Sequence, residues 1–186
     1  MSASSDPVAV PVATPMPEGL AGDPIRKLGY IAAYGRKDEL ETLLENFDLS
    51  NINACGYQGS SALTNAAAYG KVENVRLLLS QGADVNTFCK ETALMSAAFT
   101  GSSGSDEVVR LLLEKKPDMT LKNKQGKTAL DIVKERSAQL QNAMFESKLK
   151  MIQDNTPGAK GGKRRRMRLN TTRRKRTQKK KGSRSK

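Results

Sequence analysis

The chain has 186 residues, of which 32 are Lys or Arg and 19 are Asp or Glu, and it contains no histidine. Its formal net charge is +13, and fifteen basic residues but no acidic one lie in residues 157–186. The absence of histidine excludes Ser-His-Asp and Cys-His nucleophiles, histidine-ligated zinc and the usual general base at neutral pH. We therefore expect one domain with tails that is not an enzyme and uses no cofactor or metal.

The sequence contains no run of eighteen apolar residues, whereas a membrane-spanning helix needs about 20. The N-terminus also lacks the basic segment and unbroken apolar stretch of a secretory signal, because four prolines interrupt residues 7–17. These features predict an intracellular protein without membrane association. Cys55 and Cys89, in adjacent loops, are then expected to be reduced, with a disulfide or redox switch as the less favoured alternative.

Residues 1–23 are rich in Ser, Pro, Ala and Val. Prolines at such short intervals disfavour a helix, and little in the segment could form a core. We expect a disordered arm there. Asp23 can then cap a helix that has Pro24 in its first turn.

A repeated pair of amphipathic helices begins at that point. Its complete form is residues 59–86, GSSALTNAAAYGKVENVRLLLSQGADVN. Small apolar residues share one face of a first helix that ends at Gly70, and a Val- and Leu-rich second helix ends at Gly82.

Three marks identify the copies: a leucine in the first helix, a glycine seven residues later and the last leucine of the second helix. The spacing of the copies becomes 33 once length changes in the connecting segments are subtracted, as expected for stacked repeats. A fourth copy opens at Gly126, has Ser137 in place of the glycine, and is expected to form its second helix over about 138–153. The marks of the first three copies are Leu28, Gly35, Leu44; Leu63, Gly70, Leu79; and Leu94, Gly101, Leu113.

This pattern resembles the ankyrin repeat, a unit of 33 residues. The copy in residues 59–86 departs from the family pattern by having Ala62 for Pro and Thr64 for His. The resemblance implies an all-α solenoid of stacked helix-turn-helix pairs joined by short β-hairpin loops, called fingers below, with disordered tails. The domain would cover residues 24–155, with copies at about 24–53, 54–86, 87–120 and 121–155, the outer two acting as caps.

The resemblance also implies that the chain binds another protein through its fingers and the concave face of its first helices. Aromatic residues are favoured interface anchors, and Tyr34, Tyr69 and Phe99 lie at or near the same place in three copies. They are expected to form a row on the concave side of a monomer, or simply to pad neighbouring helices. Further candidates lie in the fingers: Tyr57, Gln58 and Phe88.

Residues 156–186 form a basic tail whose density of like charge predicts disorder. Its two basic clusters resemble a bipartite nuclear localisation signal that importin would bind, which favours the nucleus over the cytoplasm. Binding of nucleic acid without sequence preference is the alternative. Such tails on small repeat proteins also resemble those of large DNA viruses of protists. The residues concerned are Lys163, Arg164, Arg165, Arg166, Arg168, Arg173, Arg174, Lys175, Arg176, Lys179, Lys180 and Lys181.

Overall fold

In a computed structural model of the protein, residues 17–20 and 22–157 are described. These residues form eight α-helices arranged as four successive pairs. The helices are α1 (Pro24–Tyr34), α2 (Lys37–Glu45), α3 (Ala62–Ala68), α4 (Val72–Ser80), α5 (Ala93–Phe99), α6 (Ser105–Glu114), α7 (Ala129–Leu140) and α8 (Ala143–Asn155).

The helices stack in two layers. The first helices of the pairs, α1, α3, α5 and α7, each pack against the next, and the second helices, α2, α4, α6 and α8, do the same. Each helix also packs against its own pair partner. This arrangement confirms the expected all-α stack of helix pairs, with a core that is continuous from one pair to the next.

Each first helix begins at a side-chain cap. A cap is needed because the first backbone N–H groups of a helix have no partner within it. The cap oxygens belong to Asp23, Ser61, Thr92 and Thr128, and each accepts a hydrogen bond from a backbone N–H two or three residues further on.

Pairs of alanines allow the first helices to approach closely. Both alanines of each pair in α1, α3 and α5 are completely buried, at 32–33, 66–67 and 97–98. Of the leucines that marked the first three copies in the sequence, Leu28, Leu44, Leu63 and Leu94 lie in the same core, and Leu79 and Leu113 are partly buried against it. Small residues therefore set the spacing between neighbouring pairs, and leucines fill the space between the two layers.

Two buried polar side chains hold the ends of first helices. The Asn74 amide, in α4, donates to the carbonyls of Ala32 at 3.1 Å and Gly35 at 3.2 Å. The Lys148 ammonium, in α8, donates to the carbonyls of Ala97 at 3.0 Å and of Thr100. Both side chains satisfy carbonyls that a helix C-terminus leaves without a partner.

The fingers contain turns, and no strand occurs in residues 17–20 or 22–157. Asparagine side chains take the place of backbone pairing between fingers. Asn53 Oδ1 accepts from the Asp84 N–H at 2.8 Å, and Asn86 Oδ1 accepts from the Asp118 N–H at 2.7 Å. The fold class is confirmed, but the expected β-hairpins are replaced by turns joined through side chains.

The break inside the fourth pair lies later than expected. We predicted it at Ser137, but α7 continues to Leu140, and Gln141 takes a left-handed conformation with φ 45°. The reason is that no glycine interrupts good helix formers before that point. Asn142 then caps α8 by accepting from the Met144 N–H at 3.0 Å.

The expectation of reduced thiols was wrong, because Cys55 and Cys89 form a disulfide. Their Cα atoms are 5.9 Å apart although 34 residues separate them in the sequence. The segment before α5 is shorter than the segments before α3 and α7, and Cys89 lies opposite Cys55 although it occupies a different place in its copy.

Most of the two tails lies outside the described residues. Within the predicted N-terminal arm, Glu18–Leu20 forms a 3₁₀ turn, and Leu20 packs on the core. The boundaries of the four copies and the disorder of the tails stay predictions. No helix in the described part of the chain is long and apolar enough to cross a membrane.

Candidate functional site

The candidate site lies where the first helices end. Tyr34 is the last residue of α1, Tyr69 caps α3, and Phe99 is the last residue of α5. Arg136 in α7 follows Leu130 by six residues, as Tyr34 follows Leu28 and Tyr69 follows Leu63. We call these four residues the helix-end row, in which Arg136 lies inside α7 and the other three lie at helix ends.

Four tyrosines form one cluster at the end of the row that belongs to the first two pairs. The ring of Tyr34 is 5.0 Å from that of Tyr30, 4.7 Å from that of Tyr69 and 6.1 Å from that of Tyr57. Tyr30 and Tyr57 meet edge to face at 5.4 Å. The sequence has only these four tyrosines, so the cluster contains every one of them.

The hydroxyl groups of Tyr34 and Tyr69 are hydrogen-bonded to each other at 2.5 Å. This bond, followed by burial, raises the pKa of Tyr34 well above its ordinary value. The Lys71 ammonium donates to the backbone carbonyl of Tyr34 at 3.3 Å. The Tyr34 phenol therefore stays neutral near pH 7, and Tyr69 is 38% exposed.

The finger before α3 delivers Tyr57 to the cluster. A Cβ atom on Gly29 would lie 2.8 Å from Tyr57 Cβ, so only glycine allows this approach to α1. The Asn65 side chain, in α3, also holds the finger by donating to the Tyr57 carbonyl at 3.2 Å. Tyr57 is half-buried and joins the finger to the helix-end row.

Phe99 and Arg136 form the other end of the row. Phe99 is 55% exposed, and the Arg136 guanidinium lies 4.4 Å from the centre of its ring. Arg136 Nε also donates to the Phe99 carbonyl at 3.2 Å. A cation over an exposed ring is an attractive arrangement, and aromatic and arginine side chains dominate interface hot spots.

A groove of about 380 Å³ opens beside this pair. Lys127 and Glu135 form an ion pair at its wall. Charged groups of both signs and amides surround a small apolar floor, which suits a polypeptide better than a small apolar ligand. The lining residues are Glu91, Phe99, Asn123, Gln125, Lys127, Ile132, Glu135, Arg136 and Gln139.

The finger candidates are on the surface. Gln58 is exposed in a left-handed conformation with φ 54°, and its carbonyl accepts from the Lys90 ammonium. Phe88 is 44% exposed in the shortened finger. The structure thus brings Tyr34, Tyr57 and Tyr69 together and places Phe99 against Arg136.

Sequence reasoning missed Tyr30 and Arg136. Tyr30 lies one helical turn before Tyr34, a spacing that places both on one face. Arg136 occupies the position in the fourth copy that Tyr34 occupies in the first. Its distance of six residues from Leu130 indicates this equivalence, but arginine is not aromatic and was not among the predicted residues.

The described residues contain no cluster of His, Cys, Asp and Glu that could hold a metal ion. The tail residues predicted to bind importin or nucleic acid, Lys163 to Lys181, lie outside the described part of the chain.

Comparisons with known proteins agree with the fold. The family model described as ankyrin repeats in three copies matches residues 28–123, more than half of the 186 residues. The structure adds a fourth pair, α7 and α8, beyond the matched range.

Three curated relatives show what the chain is similar to. The E3 ubiquitin-protein ligase hecd-1 of Caenorhabditis elegans is 35% identical over 104 residues, 55% of this chain and 4% of that protein. Ankyrin repeat and SAM domain-containing protein 6 of Rattus norvegicus is 36% identical over 89 residues, 46% of this chain and 10% of that protein. The Notch-regulated ankyrin repeat-containing protein of Homo sapiens is 34% identical over 85 residues, 44% of this chain and 72% of that protein.

The chain spans a tenth or less of the first two relatives. It covers most of the third. From the stacked helix pairs, the match over more than half of its length and the relative of which it covers 72%, we conclude that the chain belongs to the ankyrin-repeat family.

Proposed function

We propose that the chain is a protein-interaction module that binds its partner through the helix-end row and the fingers beside it. The observation that carries this proposal is the alignment of Tyr34, Tyr69 and Phe99 at the ends of the stacked helices α1, α3 and α5, with Arg136 of α7 against Phe99. Family membership supports the general role, since ankyrin stacks bind other proteins.

Exposure supports the same surface. Tyr69 and Phe99 are 38% and 55% exposed although both are large and aromatic, and the fingers add Phe88 and Gln58. Burying such aromatic groups against a partner contributes favourably to the free energy of binding, because it removes apolar surface from water. The mixed charge of the groove beside Phe99 favours a polypeptide partner with both polar and apolar side chains.

An affinity capture with the full chain tests this surface. The triple variant Tyr34→Ala/Tyr69→Ala/Phe99→Ala should lose the captured partner. A matched control, Arg76→Ala/Glu107→Ala, removes an exposed ion pair from the second-helix layer and should retain it. Equal capture by the two variants would reject the helix-end row as the binding surface, provided that both show wild-type helical circular dichroism.

We also propose that the basic tail directs the protein to the nucleus through importin. Fifteen cations without an acidic residue in residues 157–186 support this address. A fluorescent fusion lacking residues 158–186 should lose nuclear accumulation, and unchanged accumulation would reject the proposal. The resemblance of the tail to those of viral proteins concerns its source and stays a prediction.

The second candidate function is nucleic-acid binding by the same tail. The observation that favours it is the charge itself, since each phosphate contacted should lower log K by about 0.7–0.9 per decade of salt. Full-length and truncated protein should therefore differ in binding random duplex DNA and RNA at two salt concentrations. Affinity that survives truncation would place the contact on the repeats instead.

A further inference from the structure

The disulfide between Cys55 and Cys89 is placed where it can act on the candidate binding surface. It joins the finger before α3 to the finger before α5. Cys55 is exposed and Cys89 is half-buried, so a thiol in solution can reach the bond. The sequence contains no other cysteine, which leaves this pair without competing partners.

A second contact beside the disulfide joins the same two fingers. Lys90, next to Cys89, donates its ammonium to the carbonyl of Gln58. A Cβ atom on Gly59 would meet Lys90 Cε at 3.0 Å, so the lysine side chain lies directly against the finger. Gln58 itself has φ 54°, a conformation that an ordinary residue adopts at some cost.

The finger does not need the disulfide to form its turn. The Gly56 N–H donates to the Ser60 carbonyl at 3.0 Å, and the finger before α7 repeats this bond from Asn123 to Lys127 at 2.9 Å. That second finger has no cysteine. What the disulfide adds is therefore the position of one finger relative to its neighbour, not the shape of the turn.

The disulfide is directly connected to the tyrosine cluster, because Cys55 and Tyr57 belong to the same finger. Tyr57 follows Cys55 by two positions, and its ring contacts those of Tyr30 and Tyr34 at 5.4 and 6.1 Å. Tyr34 is in turn hydrogen-bonded to Tyr69. A change in the link between the fingers thus acts directly on two members of the helix-end row.

We propose that the Cys55–Cys89 disulfide is a reversible clamp that fixes the tyrosine cluster when closed and releases it when reduced. The proposal concerns regulation of the surface named under the proposed function and rests on that function for its biological meaning. The nucleus, to which we propose the tail directs the protein, is a reducing compartment. Protein disulfides in such compartments are usually transient or redox-sensing.

The chemical step is thiol–disulfide exchange with a low-molecular-weight thiol such as glutathione. Its thiolate attacks one sulfur, and the S–S bond breaks so that the other cysteine leaves as a thiolate and takes a proton. A second glutathione thiolate then attacks the mixed disulfide and frees the first cysteine. The protein gains two electrons and two protons, and two glutathione molecules become one oxidised glutathione.

Amide hydrogen exchange of the full-length protein tests the clamp without any partner. In a glutathione buffer at the cytosolic poise, the bond should open, and exchange in residues 55–61 and 87–91 should quicken by about tenfold or more. Residues 123–128, the finger without a cysteine, provide the matched control and should exchange at an unchanged rate. Carbon-13 tyrosine labels should show altered ring resonances, all of which report the cluster.

The Cys55→Ser/Cys89→Ser variant should behave as the reduced protein and ignore the buffer, with Cys55→Ala/Cys89→Ala as a second variant. A bond that stays closed in that buffer would overturn the proposal, as would unchanged exchange in both fingers. Faster exchange throughout, including residues 123–128, or loss of folding in both variants would instead make the bond a permanent staple. Because no partner is present, failure here leaves the proposed surface intact, whereas failure of the affinity capture leaves the clamp intact.

Discussion

At the scale of single residues, Lys148 is the most unusual group in the described structure. Its side chain is 0% exposed, and its ammonium binds two carbonyls at the end of α5. Burial lowers its pKa from 10.5 to about 8, with Asp106 opposing the shift and Arg136 adding to it. The native protein therefore carries a cost for holding this charge below pH 8.

This shift predicts how stability depends on pH. Between pH 8 and 10.5 the unfolded chain binds this proton more tightly than the native protein does, so stability should rise with pH in that window, by at most about 3 kcal/mol. Urea unfolding at pH 8 and near pH 10 measures the rise. The Lys148→Met variant should lose it, whereas Lys150→Met, an exposed neighbour on α8, should keep it. An equal rise in all three proteins would contradict the assignment to Lys148.

The bond between Tyr34 and Tyr69 gives a second prediction. Tyr34→Phe and Tyr69→Phe should each lower the free energy of unfolding by about 0.5–1 kcal/mol, and the double variant by no more than either alone. Because the pKa of Tyr34 is raised in the folded protein, its contribution to the free energy of unfolding is complete below the ordinary tyrosine pKa of 10.0. That contribution declines as the pH rises above 10.0. Denaturation at neutral pH measures the coupling, and additive losses would show that the two hydroxyls do not interact.

At the scale of helices, the contact between Asn74 and the end of α1 joins neighbouring pairs. Asn74→Ala would leave the carbonyls of Ala32 and Gly35 buried without this donor. We expect a loss of about 1–3 kcal/mol in unfolding free energy. Glu73→Ala, which removes an exposed charge from the same helix, should cost less than about 1 kcal/mol. Equal losses would indicate that the Asn74 contact is not needed at this junction.

The helix pattern was predictable from sequence where the period is strong. Leucines, alanine pairs and helix-ending glycines located the first three pairs, and Gly126 with Leu130 located the start of the fourth. The leucines and alanines could do so because they pack between the stacked helices. The end of α7 before Gln141 was not predictable, because no glycine marks it in the sequence. A polar residue in a left-handed conformation ends the helix there, and such a residue is not recognisable from sequence. The disulfide was hidden because Cys55 and Cys89 occupy different places in their copies, although the folded fingers bring their Cα atoms to 5.9 Å.

The candidate site was predictable in part for similar reasons. Tyr34 and Tyr69 were predicted as candidates because each directly precedes the glycine at the end of a first helix. Phe99 was added because it lies only one position earlier in the next copy. Tyr57 was predicted as a residue of its finger, but its contact with α1 was not predicted. That contact is possible because Gly29 has no side chain, and the sequence pattern does not show which residue packs against Gly29. Arg136 was not predicted because it is not aromatic, although it follows Leu130 by the same six residues that separate Tyr34 from Leu28.

At the scale of the whole molecule, each described helix pair packs against its neighbours in the stack, so stability should be distributed along the stack. The central helices α3 and α5 pack against first helices on both sides, whereas α1 and α7 do so on one. We therefore expect the slowest amide exchange in α3 and α5 and faster exchange in α1 and α2. Exchange measured residue by residue would show this gradient, and a uniform rate would indicate one cooperative unit.

The central claim is that a protein partner binds at the ends of the first helices. A photo-crosslinking amino acid at position 69, in the full-length protein within its own cells, tests it most directly. We predict one dominant crosslinked partner from position 69 and none from position 80, which is exposed at the end of α4. The same partner captured from position 80 and not from position 69 would place the interface on the opposite layer and contradict the account.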